Sequence, residues 1–105
     1  MNEETKQLIE DAAKLLGLKT GQWVAGMLTY YNAGILNQYF NPLNPERGDL
    51  MKVAMAAELM IEFKDLCVYL PQYVENQIWY FDETYQSLAL AILRAASAVY
   101  RARGE

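Results

Sequence analysis

The residues of this sequence that suggest chemistry are few, because the chain has no histidine and a single cysteine. Without histidine there is no Ser-His or Cys-His catalysis and no His-ligated metal site. Glu58 and Glu62 are four residues apart, so on a helix their carboxylates would share one face and with it a metal ion or a proton. Exposed acids at this spacing are usually only solvated. An enzyme that works with carboxylates is therefore an alternative, and we predict no catalytic residue, metal or cofactor.

The lone cysteine, Cys67, lies in an apolar run over residues 66–70, which predicts a buried and unreactive thiol. A single cysteine also excludes an intramolecular disulfide. The unpaired thiol and the lack of a signal peptide favour a reducing cytoplasm. No apolar run approaches the roughly 20 residues that cross a bilayer, so we expect no membrane partner.

A second candidate site combines positive charge with aromatic rings. A nucleotide pocket needs cations for the phosphate and an aromatic face for the base. The residues that would supply them, if the fold brings them together, are Arg47, Lys52, Arg94, Tyr39, Tyr73 and Trp79. Taken separately, they are more typical of solvated charge and of core or interface aromatics than of a nucleotide site.

The composition is typical of a folded globule, with 53% hydrophobic and 21% charged residues. Its 105 residues predict one domain over residues 1–105. The net charge of −4 makes nucleic acid an unlikely partner, because phosphate backbones bind clustered Lys and Arg. Eight tyrosines, two tryptophans and five methionines are residue types enriched at interfaces, so a homo-oligomeric subunit is a further alternative.

The elements that must position these residues follow from apolar spacing. Apolar residues recur at helical intervals over residues 3–16 and again after Thr84, up to about residue 101. Asn2 and Thr84 suit the N-caps of these two helices, and Gly17 suits the end of the first. A middle helix is predicted from residue 45, or at latest 49, to residue 63.

Aromatic and β-branched residues predict strands over residues 22–31 and 35–40, joined by a turn at Asn32-Ala33-Gly34. Gly26 would then mark a bulge or a close backbone approach inside the first strand. A helix through residues 24–36 is the alternative.

Later in the chain, residues 66–70 and 77–81 are predicted to form two more strands, with a loop over residues 71–76. The whole order is α-β-β-α-β-β-α. Short connections make such a four-stranded sheet mostly antiparallel, and three helices would cover both of its faces. The predicted fold is therefore α+β, a three-layer α/β/α sandwich.

The junction between the second strand and the middle helix carries a short motif. Proline pushes the residue before it out of helical conformation, so the strand should close there. Asn44-Pro45 fits an N-cap followed by proline at the first helical position. We expect the motif to be structural, bridging the strand to the helix through its polar side chains; its members are Asn41, Pro42, Leu43, Gly48 and Asp49.

This motif and the element order together resemble the phage ABA-sandwich domain family of small bacteriophage and prophage proteins. The family pattern is an aromatic-Asn-Pro-Leu segment, a polar stretch, Gly-Asp and an Ala-rich helix, and Phe40 stands here where the family has Trp. A closing helix with Ala and Arg also matches. The resemblance implies the sandwich fold, carries over no enzymatic function, and suggests a phage or prophage accessory protein that acts by binding. Its partner would be a host or phage protein, or a small signalling nucleotide, in the blocking of a bacterial defence system.

Overall fold

The computed structural model of the chain describes residues 2–74 and 77–104. In order along these ranges lie α1 Glu3–Leu15, β1 Thr20–Val24, β2 Met27–Asn32, β3 Ile35–Phe40, α2 Asp49–Ala56, β4 Met60–Glu62, β5 Cys67–Tyr69, β6 Ile78–Tyr80 and α3 Tyr85–Ala102. The strands form two antiparallel sheets, β1-β2-β3 and β4-β5-β6. The α+β class is confirmed. The prediction of one four-stranded sheet is wrong, because two additional strands divide the pairing between two sheets.

The first helix begins and ends as its sequence predicts. The Asn2 side chain accepts a hydrogen bond of 2.8 Å from the Thr5 amide, which satisfies one of the free N–H groups of the first turn. At the other end Gly17 is left-handed, with φ 75°, and Leu18 N–H bonds back to Ala13. This arrangement is a Schellman motif, which leaves few unpaired carbonyls.

Two tight turns build the first sheet. Ala25-Gly26 joins β1 to β2 and Ala33-Gly34 joins β2 to β3, and all four of these residues have positive φ. Two consecutive positive φ angles match a type I′ hairpin turn, whose twist suits antiparallel strands. The hairpin at Ala33-Gly34 is confirmed. The single strand over residues 22–31, the bulge at Gly26 and the alternative helix over residues 24–36 are wrong.

The second helix is much shorter than predicted. It begins at Asp49, the latest start proposed, and the Asn44-Pro45 N-cap is wrong because those residues lie in the turns before it. It ends in a Schellman motif of its own, with Leu59 N–H bonded to Ala54 and Glu58 at φ 56° in the left-handed position. Glycine usually occupies that position, so a glutamate there gave no stop signal and the predicted end at residue 63 is wrong.

The second sheet is formed by the end of the predicted middle helix and by the two strands predicted after it. Ile61, Val68 and Trp79 lie opposite one another across β4, β5 and β6, and opposite residues share a face of the sheet. These three side chains pack against the core. The strands predicted at 66–70 and 77–81 are confirmed with shorter bounds, while Glu75 and Asn76 of the predicted loop lie outside the described residues.

The last helix forms the centre of the molecule and packs against α1, α2, β5 and β6. The Thr84 hydroxyl accepts a bond of 3.2 Å from the Ser87 amide, which confirms the predicted N-cap. Small residues let the other elements approach α3 closely; its fully buried apolar side chains are Ala89, Ala91, Ile92, Leu93, Ala95, Ala96 and Val99. Among the described residues, no helix combines the length and apolar character that crossing a membrane requires.

Candidate functional site

The junction motif is organised around the Asp49 carboxylate, which is only 8% exposed. Its Oδ2 accepts a bond of 2.9 Å from the Asn41 amide and one of 2.7 Å from Arg47 Nε. The Arg47 guanidinium also donates to the Tyr39 carbonyl. Gly48, at the N-cap, offers no side chain to the helix. Asp49 therefore joins the end of β3 to the start of α2.

The last helix holds the same junction from the other side. The Tyr85 hydroxyl donates to the Pro42 carbonyl at 2.9 Å, and the Gln86 amide donates to the Leu43 carbonyl at 3.1 Å. Burial, and next the charge of Asp49, raise the pKa of Tyr85, so its hydroxyl stays a donor at neutral pH. With these bonds from Asp49, Arg47, Tyr85 and Gln86, the motif has the geometry of a structural brace.

The six residues proposed for a nucleotide pocket fall into separate groups. Arg47 and Tyr39 meet at the junction, whereas Trp79 and Arg94 line one groove. Tyr73 lies elsewhere, in a cluster of polar side chains described below. Lys52 is exposed on α2. The structure thus brings together two pairs rather than one six-residue site.

The pair on α3 and β6 belongs to a groove of about 330 Å³, which we call the arginine groove. The side chains that line it include Leu8, Gln77, Trp79, Arg94, Ser97 and Arg101. The prediction did not include Arg101 among the site residues. Its spacing of seven residues from Arg94 puts both on one face of α3, and that spacing was the signal available in the sequence.

A buried polar bridge lies beside this groove. The Asp11 carboxylate is only 3% exposed and accepts two hydrogen bonds, one of 2.6 Å from the Ser97 hydroxyl and one of 2.9 Å from the Gln7 side-chain amide. Arg101 Nη2 lies 3.7 Å from the same carboxylate, too far for a hydrogen bond. The bridge joins α1 to α3. Its sequence signal was an acid within the apolar stripe, one helical turn from Leu8.

One face of the first sheet leaves its large side chains partly exposed to solvent. Three opposite pairs define this outer face: Val24 with Met27, Thr29 with Tyr39, and Tyr31 with Leu36. Val24, Tyr31, Leu36 and Tyr39 are each between 37% and 40% exposed. A half-solvated antiparallel sheet normally alternates apolar and polar residues. Here the partly exposed side chains of these pairs are apolar or aromatic, and Lys19 Nζ lies 5.6 Å from the centre of the Tyr31 ring. The Thr29 hydroxyl donates to the Gln22 carbonyl at 2.6 Å.

A glycine shapes this outer face. A Cβ atom on Gly21 would lie 2.6 Å from Leu36 Cδ1 and 2.9 Å from Thr29 Oγ1. Both distances are shorter than van der Waals contact, so a larger residue at position 21 would displace the Leu36 and Thr29 side chains. Gly21 therefore lets Leu36 pack closely on β1.

The glutamate pair proposed for metal or proton sharing does not form. Glu58 terminates α2 in the left-handed conformation, whereas Glu62 lies in β4, so the two carboxylates do not share a helical face. The Glu58 carboxylate instead accepts a hydrogen bond of 3.1 Å from the Arg103 guanidinium and one of 3.4 Å from the Tyr73 hydroxyl. Within residues 2–74 and 77–104, no group of three or more carboxylate or thiol side chains could hold a metal ion.

Two remaining features are apolar. A pocket of about 390 Å³ lies at the start of α3, lined by Phe63, Leu66, Phe81, Tyr85 and Leu88 with an acidic rim. Cys67 is 1% exposed, which confirms the buried thiol. The Cys67 thiol beside Tyr69 raises the pKa of that tyrosine to about 12. Tyr69 is therefore not suited to acid–base chemistry at neutral pH.

No known protein family, curated protein or solved structure matches this chain significantly.

Proposed function

We propose that this chain is a non-catalytic binding protein that recognises a protein partner through the outer face of its first sheet. The observation that carries the proposal is the apolar character of that exposed face. Contiguous apolar patches on a protein surface typically mark interaction sites. Tyr31 and Tyr39 supply rigid aromatic surface with a polar tip, the residue type that most often dominates binding energy.

The sequence resemblance suggests the setting. A phage or prophage accessory protein would act in the cytoplasm of a bacterial host, and its partner would be a host or phage protein, such as a component of a defence system. A partner on the outer face would also supply the layer that the α/β/α sandwich prediction assigned to this chain's own helices. The proposal retains the three-layer arrangement in that form.

The test is capture of a partner from a bacterial lysate by the wild type and by matched variants. The double variant Tyr31→Thr/Tyr39→Thr removes both rings but keeps residues that favour strands. Tyr80→Thr is the control, because Tyr80 is an even more exposed strand tyrosine on the second sheet. We expect the double variant to lose the captured protein, with at least tenfold weaker affinity, and Tyr80→Thr to keep it.

Capture that is equal for all three proteins, or no capture, would contradict the proposal. Light scattering on the same samples separates the homo-oligomer alternative. If the wild type has a mass above the 12.0 kDa of one chain and the double variant does not, the partner of the outer face is a second copy.

A further inference from the structure

We infer that the arginine groove binds a small phosphorylated organic ligand of mononucleotide size, with Arg94 as the principal phosphate contact. The site is distinct from the outer face of the first sheet, and the inference does not depend on the function proposed above. It is carried by the placement of two arginines, by their weak pairing and by a buried indole N–H that has no hydrogen-bond partner among the described residues.

The groove has a defined shape because three elements build it. Arg94 and Arg101 are two helical turns apart on α3, which is about 10 Å along the helix axis. Ser97 lies between them, and its small side chain leaves space between the two guanidinium groups. Trp79 of β6 and Leu8 of α1 complete the lining. A ligand in this groove therefore meets positive charge and apolar surface together.

Both arginines have hydrogen-bonding capacity left for a ligand. A guanidinium carries five N–H donors. Among residues 2–74 and 77–104, the one polar contact of the Arg94 guanidinium is at 3.4 Å to Glu4, whose side chain is 68% exposed and free to turn away. Arg101 approaches Asp11 at 3.7 Å, but Asp11 already accepts the Ser97 and Gln7 bonds. Exposed pairs of this kind contribute little stability, so a phosphate can replace them at Arg94.

The indole of Trp79 supplies a second, independent observation. Its Nε1 is buried and, within the described part of the chain, has no hydrogen-bond partner. Buried donors are nearly always satisfied, and each exception calls for an explanation. Trp23 provides the contrast, because its Nε1 donates a bond of 2.9 Å to Glu10. Trp79 also lines the groove, and because its Nε1 is closed to solvent, a ligand oxygen would accept from it only after a small shift of the ring.

The size and charge of the groove select the class of ligand. A volume of about 330 Å³ is at the lower end of small-molecule sites. Guanidinium groups bind phosphate through paired N–H bonds, and an indole gives a planar or apolar group a surface to contact. A single nucleotide combines these features, whereas a nucleic acid polymer would be repelled by a chain of net charge −4.

The experiment is calorimetric titration of the protein with the four ribonucleoside 5′-monophosphates, the corresponding nucleosides and inorganic phosphate. We expect at least one monophosphate to bind more tightly than its nucleoside and than phosphate alone. Arg94→Gln should weaken that binding at least tenfold, and Arg94→Lys should weaken it less, because lysine keeps the charge but not the paired donors. Arg103→Gln is the matched control, since Arg103 belongs to the Glu58 cluster outside the groove.

A ¹H–¹⁵N spectrum provides a readout that does not depend on affinity alone. The chain has two tryptophans, so two indole N–H signals are expected, and only that of Trp79 should shift on saturation. The Tyr31→Thr/Tyr39→Thr variant should bind the monophosphate as the wild type does. The inference is overturned if no monophosphate binds, if Arg94→Gln binds as well as Arg103→Gln, or if the Trp23 signal shifts in place of Trp79.

Discussion

Asp11 and Asp49 are both buried carboxylates, yet they hold different kinds of structure together. Asp49 accepts bonds from Asn41 and Arg47, within one short segment of the chain. Asp11 accepts a bond from Ser97, 86 residues away, and so ties the first helix to the last. The first is a local brace, and the second is a long-range bridge.

The two carboxylates show which kinds of contact can be recognised in a sequence. A local brace needs its residues at fixed spacing in one segment, so the Asn-Pro-Leu and Gly-Asp motif could be recognised from the sequence alone. A long-range bridge leaves only a polar residue in an apolar stripe. The bridge also lies at the interface of α1 with α3, the helix at the centre of the core, so its loss should cost more stability.

The largest effect is expected for Asp11→Ala. The variant leaves the Ser97 hydroxyl and the Gln7 amide without their acceptor, which should lower the free energy of unfolding by about 2–4 kcal/mol. Urea denaturation measures the change. The control is Glu4→Ala on the same helix, whose exposed pair with Arg94 should contribute less than about 0.5 kcal/mol. Equal losses in the two variants would contradict the bridge.

Asp49→Ala should come next, with a loss of about 1–3 kcal/mol, because the Asn41 amide and Arg47 lose their shared acceptor. Asp49→Asn keeps a side-chain oxygen for the Asn41 amide and should cost less than the alanine variant. Denaturation curves of the three proteins check the order. A loss as large as that of Asp11→Ala would remove the contrast between brace and bridge.

Ser97→Ala sharpens the contrast by testing one partner alone. Removing the hydroxyl should cost about 1 kcal/mol. In a double-mutant cycle with Asp11→Ala, the losses should be less than additive, because the two residues share one bond. Strict additivity would mean that the 2.6 Å contact contributes nothing measurable.

The smallest effect is expected at a third, exposed carboxylate. Asp82 accepts bonds from the Thr84 hydroxyl and amide at the start of α3, and these bonds, the hydroxyl first, lower its pKa from the usual 3.8. A carboxylate whose pKa is lower in the folded than in the unfolded protein stabilises the fold when the pH is above its unfolded-state pKa. That stabilisation is lost as the pH falls through its folded-state pKa. Asp82→Ala should therefore melt slightly below the wild type at pH 7 and equally at about pH 2. A difference that persists in acid would show that charge is not its source.

The sequence predicted those parts of the fold that local rules determine. Asn2 and Thr84 cap their helices as expected, because an N-cap needs only its own first turn. The errors lie where residues adopt conformations that their types disfavour. Glu58 ends α2 in a position typical of glycine, and Ala25 begins a turn typical of asparagine followed by glycine. The folded structure holds both residues in these disfavoured conformations, and a single sequence gives no signal for either.

The candidate sites were predicted less completely than the fold. Arg94 and Trp79 were chosen for their chemistry and do line one groove, but Leu8, which completes its lining, lies on α1 and is far away in the sequence. The outer face was missed because the prediction gave both faces of the sheet a helical cover. Its alternating positions became recognisable only once the Ala25-Gly26 turn fixed the register of β1 on β2.

The position of Cys67 gives the molecule an internal reporter. The thiol belongs to the central strand of the second sheet and is almost inaccessible. Since it is the chain's one sulfhydryl, iodoacetamide should add a single mass increment, and only when that strand separates from its neighbours. The alkylation rate thus reports the frequency of local opening of the second sheet, without any engineered label.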